Sequence, residues 1–478
     1  MTASTALPRP RPARLACAAA AAALLLAGCT TLAPPYEAPA MPVPQRYAGA
    51  AEPGGAVAAA TAWRDYFTDP QLQALIVQAL EHNRDLRTAA LRVQEARAAY
   101  GIQSAELSPS VGAQANMDRA RTPADLSLTG RPMVASQYQV GLGMASWEID
   151  FWGRVQSLRD AALDAVTVSL IAQVAGGYLA LRELDERLAL AEQSSASREE
   201  SLRISRRRVE VGSDSRLHLT QMQTLLTQAQ ALVAQLSLER ARQAHALGQL
   251  VGTGVALAPA AGRLAEQQMP RLAAGLPSDL LAQRPDIVAA EHQLRAAHAQ
   301  IGAARAAFFP SISLTGAFGT ASAELGGLFE GGSRAWTFSP SITLPIFSGG
   351  RLKGNLALAE VRRDLAVANY ERAVQQAFRD VSDALAGRQW LERQSRIAQE
   401  ALAVQTERAR LSQLRYDHGA AAFLDVLDAQ RDLLVAQQQT VQAQRLLLSS
   451  QVSLYAALGG GTLTQTNTPI GPRGPGTP

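Results

Sequence analysis

The chain has 478 residues, of which 47% are hydrophobic, 18% charged and 5% aromatic, a balance that excludes a disordered chain and an all-β protein of this length. Its formal net charge is +4, and Arg9, Arg11 and Arg14 supply three of those charges before residue 28, so nothing points to nucleic-acid binding. The two cysteines, Cys17 and Cys29, lie in the first 30 residues, which leaves none for a disulfide framework or a cysteine-based zinc site in the body.

The three arginines precede an uncharged apolar run over 15–27. This is a basic region followed by an apolar region of signal-peptide length, too short to span a bilayer as a permanent helix, so 1–28 are expected to be a signal peptide. Leu26-Ala27-Gly28-Cys29 resembles the bacterial lipobox, whose cysteine takes a diacylglycerol and becomes the new N-terminus. The alternative is an ordinary secretory signal with an incidental cysteine. Under the resemblance Cys29 is the lipidation site, and Thr30 in place of an aspartate implies sorting to the outer membrane. Residues 29–58, rich in Pro, Ala and Gly, predict an extended tether.

The body is an internal duplication. Residues 85–112 align without gaps on 286–313: Asp85 meets Asp286, Gly101 meets Gly302 and Pro109 meets Pro310. Further on, Gly153-Arg154 meets Gly350-Arg351, Val211-Gly212 meets His418-Gly419, and Leu250-Val251-Gly252 meets Ala457-Leu458-Gly459. We therefore divide the body into repeats at 59–265 and 266–460, followed by a flexible tail over 461–478. Each repeat predicts a helix, a strand pair, a Gly-Arg turn, a long helix, a Gly turn and a long helix back. In the second repeat the helices are expected at 286–308, 351–418 and 421–458. At 1.5 Å per residue the middle one would be about 100 Å long, which suits coiled coils and helical barrels. On the last helix Leu427, Leu434, Val441, Leu448 and Tyr455 recur every seven residues beside a second, smaller stripe, as a helix with neighbours on two sides requires. A soluble bundle helix would carry a similar pattern.

Four stretches alternate with period two: 110–119, 138–146, 311–320 and 336–347. Bulky Tyr138, Val140, Leu142 and Met144 oppose Gln139, Gly141, Gly143 and Ala145, and Trp336, Phe338 and Ile342 oppose Thr337, Ser339 and Ser341. One bulky apolar face and one small polar face suit the wall of a water-filled barrel in lipid, although a sandwich sheet also alternates. Four strands cannot close a membrane barrel, and open edges in hydrocarbon leave costly unpaired backbone groups. Either the sheet lies outside a membrane or several chains share one barrel; strand arithmetic alone does not choose between two chains and three.

Leu280-Leu281, Arg284-Pro285-Asp286-Ile287, Ala290-Glu291, Phe308-Phe309-Pro310 and Ile312-Ser313-Leu314 resemble a signature of the TolC-like outer-membrane factors, closest to their lipoprotein branch. Trp63–Leu80, Trp147–Arg154 and Phe347–Leu352 support the likeness, which runs from about Cys29 to Gly460. The resemblance implies a mainly α chain with a transmembrane β-barrel: a homotrimer with four strands per chain, a 12-stranded barrel in the outer membrane of a Gram-negative bacterium, and a periplasmic tunnel of coiled-coil helices. It also implies docking to a periplasmic adaptor and an inner-membrane RND-type transporter, with the chain as passive exit duct of an efflux pump for drugs or other small molecules. Between Gly153 and Tyr178 the chain is shorter than the family by roughly ten residues.

The sequence holds no HExxH, GxSxG, Walker loop or GxGxxG, and neither a catalytic role nor a cofactor is expected. The resemblance places the periplasmic gate at the Gly turns, with Asp425 and Asp428 on one helix face as stacked acidic rings and Tyr416 as gate tyrosine. Two gate positions depart from the family, which often has Asp at the place of His218 and in some members Arg at the place of Ala421. The sequence favours a histidine exposed at a tip for His218; the alternative is that it takes over part of the gate contact, with Tyr416 as partner, and brings some pH sensitivity. Val211, Gly212 and Ser213, with His418, Gly419 and Ala420, are candidate adaptor-contact tips. A protein-secretion duct and a non-conducting structural lipoprotein are the alternative functions.

Overall fold

The computed structural model describes Tyr36, Pro39 and residues 56–105, 110–147, 156–254, 262–273 and 277–462. The expected signal peptide, Cys29, most of the tether, all but Trp147 of the Trp147–Arg154 motif and the tail from 463 onward lie outside the described residues. The principal elements are α1 (Pro70–His82), α2 (Arg84–Ala105), β1 (Val111–Thr122), β2 (Met133–Trp147), α3 (Gln156–Glu210), α4 (Arg216–Val251), α5 (Pro285–Ala306), β3 (Ser311–Ser322), β4 (Arg334–Thr343), α6 (Arg351–Asp417) and α7 (Phe423–Ala457). They form two compact units, and each takes material from both repeats. One holds Ala99–Arg154 and Gln293–Ala368; the other holds Ala40–Ala98, Val155–His292 and Asn369–Pro478.

The first unit carries one antiparallel sheet in the order β1-β2-β3-β4, with β1 and β4 as its edges. Register puts Leu142 opposite Phe318 and Phe318 opposite Trp336, so the bulky residues share one face. On that face Leu142 is 55%, Phe318 65% and Trp336 73% exposed, an uncovered apolar surface that a lone water-soluble sheet would bury. The opposite face is polar, and there Ser313 Oγ lies 2.7 Å from Ser341 Oγ. Gly141 and Gly319 face each other across β2 and β3. A Cβ on Gly141 would stand 2.6 Å from the Phe318 carbonyl oxygen, so only glycine lets the two backbones approach there. The strands run further toward the hairpins than alternation suggests, and β4 stops at Thr343 rather than 347 because Pro345 has no N–H to donate.

In the second unit α1 starts on Asp69, whose carboxylate accepts from the N–H groups of Gln71 and Leu72, with Pro70 at the first helical position. Its Leu72, Leu75, Ile76 and Ala79 are buried at helical spacing. The Tyr178 hydroxyl donates to Asp69 Oδ2 at 2.6 Å, which ties α3 to the head of α1. Tyr66 stacks on Tyr455 at 4.5 Å, and the Tyr455 hydroxyl donates to the Thr61 carbonyl at 2.9 Å. Burial pushes both tyrosine hydroxyls well above their usual pKa.

The duplication is repeated in hydrogen bonds. Asn83 Nδ2 donates to the Leu250 carbonyl at 2.7 Å, and Arg284 Nη1, at the matching place, donates to the Ala457 carbonyl at 3.3 Å. Gly252 lies against the His82 carbonyl and Gly459 against that of Gln283, the same close approach in each repeat. Arg284 further binds Asp286 at 2.9 Å and Asp380 at 2.7 Å, which gives the Arg-Pro-Asp-Ile segment its structural role. The long helices differ between repeats. α3 has 55 residues and α6 has 67, a difference of 12 residues, or about 18 Å of helix.

Candidate functional site

Two hairpin tips carry the residues singled out in the sequence. Between α3 and α4, Gly212 sits at φ 78°, and between α6 and α7, Gly419 sits at φ 72°, in the left-handed region that favours glycine. The Gly212 N–H donates to the Val209 carbonyl at 3.0 Å and the Ser213 N–H to that of Arg208 at 2.8 Å. In the second turn the Gly419 N–H donates to the Tyr416 carbonyl at 2.9 Å and the Ala420 N–H to that of Arg415 at 2.8 Å. Both helices thus end in the same Schellman turn. Val211, Gly212, Ser213, His418, Gly419 and Ala420 are all exposed.

The two tips meet through polar and aromatic contacts. Arg208 Nη1 donates to the Tyr416 hydroxyl oxygen at 2.9 Å. The Tyr416 ring lies 4.8 Å from Phe423, and the His218 ring meets Phe423 edge-on at 5.6 Å. Behind them Leu202, Met222 and Leu427 form a small core flanked by Leu219, Leu225, Leu226 and Phe423. Its apolar packing gives the polar contacts a fixed base.

The alternative contact between His218 and Tyr416 is replaced by two others. His218 Nδ1 lies 2.5 Å from Asp214 Oδ2, one helical turn away, while Arg208 takes the Tyr416 hydroxyl and Phe423 packs against both rings. His218 is half-buried rather than a free tip histidine. Burial pushes the Asp214 carboxyl up, but His218, the Ser215 N–H and Arg208 together hold it below the usual carboxylate range. The hydrogen bond to Tyr416 strengthens the protonated form of Arg208.

Asp425 is exposed on the first turn of α7, and Asp428 lies one turn on, 3.2 Å from Arg431 Nη1. Arg431 also reaches Asp432 at 3.0 Å, and Asp432 pairs with Arg408 of α6 at 2.6 Å. Asp428 is therefore part of a chain of ion pairs. Sequence reasoning missed Arg208 as the partner of Tyr416, together with Asp214, Phe423 and Arg431. The i, i+4 spacing of Asp214 and His218 was the one available signal. Among the described residues no group of three or more His, Cys, Asp or Glu is placed to hold a metal ion.

The family model described as outer membrane efflux protein matches residues 75–253 and again 276–460. The chain belongs to the outer membrane efflux protein family. It is 43% identical over 452 residues to the outer membrane protein OprJ of Pseudomonas aeruginosa, covering 91% of this chain and 94% of that one. It is 42% identical over 461 residues to the solvent efflux pump outer membrane protein SrpC of Pseudomonas putida, covering 93% and 98%. Among solved structures, a membrane protein from Pseudomonas aeruginosa matches with a TM-score of 0.82 at 40% identity, covering 90% of this chain and 98% of that one. The open state of the MtrE outer membrane channel of Neisseria gonorrhoeae matches with a TM-score of 0.80 at 40% identity, covering 91% and 99%. The chain has the fold of these channels and is an outer-membrane channel of an efflux pump, a transport duct of the Gram-negative outer membrane.

Proposed function

We propose that three copies of this chain close one 12-stranded barrel and one helical tunnel, and form the passive exit duct of a tripartite pump. The observation that carries this reading is the sheet. Four strands with two unpaired edges and an uncovered apolar face satisfy their backbone in lipid only by borrowing edges from sister chains. The tips at Val211–Ser213 and His418–Ala420 dock a periplasmic adaptor, and an inner-membrane RND-type transporter loads the duct. Asp425 and Asp428 line the closed constriction as acidic rings, and Tyr416, held by Arg208, keeps it shut. Cys29 carries the lipid anchor.

Small apolar and amphipathic molecules are the proposed cargo. Relatives named as solvent, toluene and antibiotic efflux pump outer membrane proteins support this class. The polar inner sheet face, with Gln139, Thr337 and Ser339, offers weak contacts to many such solutes. Electron microscopy of detergent-extracted protein tests the assembly. Three protomers around one closed tip are expected, and a lone protomer overturns the proposal.

A further inference from the structure

The outward face of the sheet ends in unpaired arginines. Register places Val111, Met117, Arg119 and Arg121 of β1 on the face of Tyr138, Leu142 and Met144. Arg334 of β4 shares the face of Trp336, Phe338 and Ile342. Arg334 and Arg119 follow the apolar band by one pleat repeat and Arg121 by two. Arg334 lies two residues past Trp336, and Arg119 lies two past Met117, about 7 Å along a strand. That is headgroup depth for a band whose last rows hold Tyr138 and Trp336. All three arginines are exposed, and among the described residues no ion pair or side-chain hydrogen bond occupies them. The only acid on β1, Asp118, points to the other face.

The register also sets the offset between the two edges. Arg334, the first residue of β4, aligns through Thr320 and Val140 with Ala115, seven residues before β1 ends at Thr122. The strand ends therefore climb across the sheet, the stagger that a tilted barrel requires. When β4 of one copy flanks β1 of the next, Arg334 comes to the same rim as the neighbouring copy's Arg119 and Arg121. Guanidinium forks match phosphate oxygens two at a time, and the apolar rows beneath them suit acyl chains.

We propose that Arg334 of one copy and Arg119 and Arg121 of the next form, at each seam of the barrel, a site for the phosphate groups of an outer-leaflet lipid. The proposal rests on the closed three-copy barrel put forward above.

Native mass spectrometry of the purified channel, titrated with bisphosphorylated lipid A, tests it. Wild-type trimers are expected to hold this lipid at least ~10-fold more tightly than fully dephosphorylated lipid A, and millimolar inorganic phosphate is expected not to displace it. R334Q alone should weaken binding about 10-fold and R119Q/R121Q/R334Q about 100-fold, whereas the three lysine replacements, which keep the charge but lose the fork, should fall between wild type and the triple glutamine variant. The trimer mass of each variant confirms that it has folded and assembled. Equal binding by the triple glutamine variant, equal affinity for the dephosphorylated lipid, or displacement by inorganic phosphate overturns the site while leaving the barrel standing. A wild-type mass that is not three copies overturns the barrel, and the seam with it.

Discussion

Replacing Arg208 by alanine should raise the resting open probability of the channel. The change removes one hydrogen bond, from a guanidinium to the Tyr416 hydroxyl at 2.9 Å. A charged donor to a buried phenol would be worth about 1.5–3 kcal/mol, but Arg208 is exposed, so screening brings it nearer 1 kcal/mol. Tyr416 keeps its packing against Phe423, so the loss is confined to the latch. One latch at ~1 kcal/mol shifts the equilibrium about five-fold. Three latches opening together shift it by ~3 kcal/mol, on the order of a hundred-fold. Single-channel recording in planar bilayers reads this directly. Tyr416→Phe should do the same, and the double variant should open no further than either single one, because both remove one bond. Additive effects, or an Arg208→Ala channel within two-fold of wild type beside an open Tyr416→Phe channel, would refute the latch.

Arg284→Met should cost ~3 kcal/mol, near the low end for a broken buried ion pair, because Asp286 and Asp380 are partly exposed and Arg284 is only 12% exposed. The temperature at which the detergent-resistant assembly dissociates reports it. Asp214 has a depressed folded pKa, so its stabilisation of the tip is complete above the unfolded carboxylate value of ~3.9 and is lost as pH falls through the lower folded value. Hydrogen exchange of the tip in Asp214→Asn should therefore lack this acid-side loosening, and an unchanged acid profile would contradict the assignment. Gly319→Val places a side chain against the β2 backbone at Val140 and Gly141 and should lower the folded fraction on heat-modifiability gels by the equivalent of ~2 kcal/mol or more, whereas Ala317→Val, one pleat away on the same face, should be milder.

Much of the fold was legible because the sequence punctuates it. Glycines at 212, 252, 419 and 459 end helices at positive φ, and the heptad stripe of Leu427, Leu434, Leu448 and Tyr455 is buried as its spacing required. The hairpin ends of the strands were less legible. Asp118, Arg119 and Arg121 on β1, and Ser136 and Gln137 on β2, are polar on both faces at the rim, so the alternation fades before the hydrogen-bonded ladder does. At the tips, the turn glycines and Tyr416 could be found from repeat alignment. Which of Arg206, Arg207 and Arg208 meets Tyr416 depends on the rotational phase of α3 against α6, which no local pattern encodes. Arg207 turns instead to Glu210 at 3.2 Å.

The two hairpin turns share one main-chain geometry but differ in side chains. The first is flanked by the arginine run 206–208 with Asp214 and Arg216, the second by Arg415, Asp417 and His418 on one side and a run of small residues from Gly419 through Ala422 on the other. A ligand that grips peptide groups would find every loop around an assembled ring alike, twice as many docking points as there are subunits. One that reads the arginine run would recognise only the first kind of loop, so the stoichiometry of capture depends on which of the two languages the incoming protein uses.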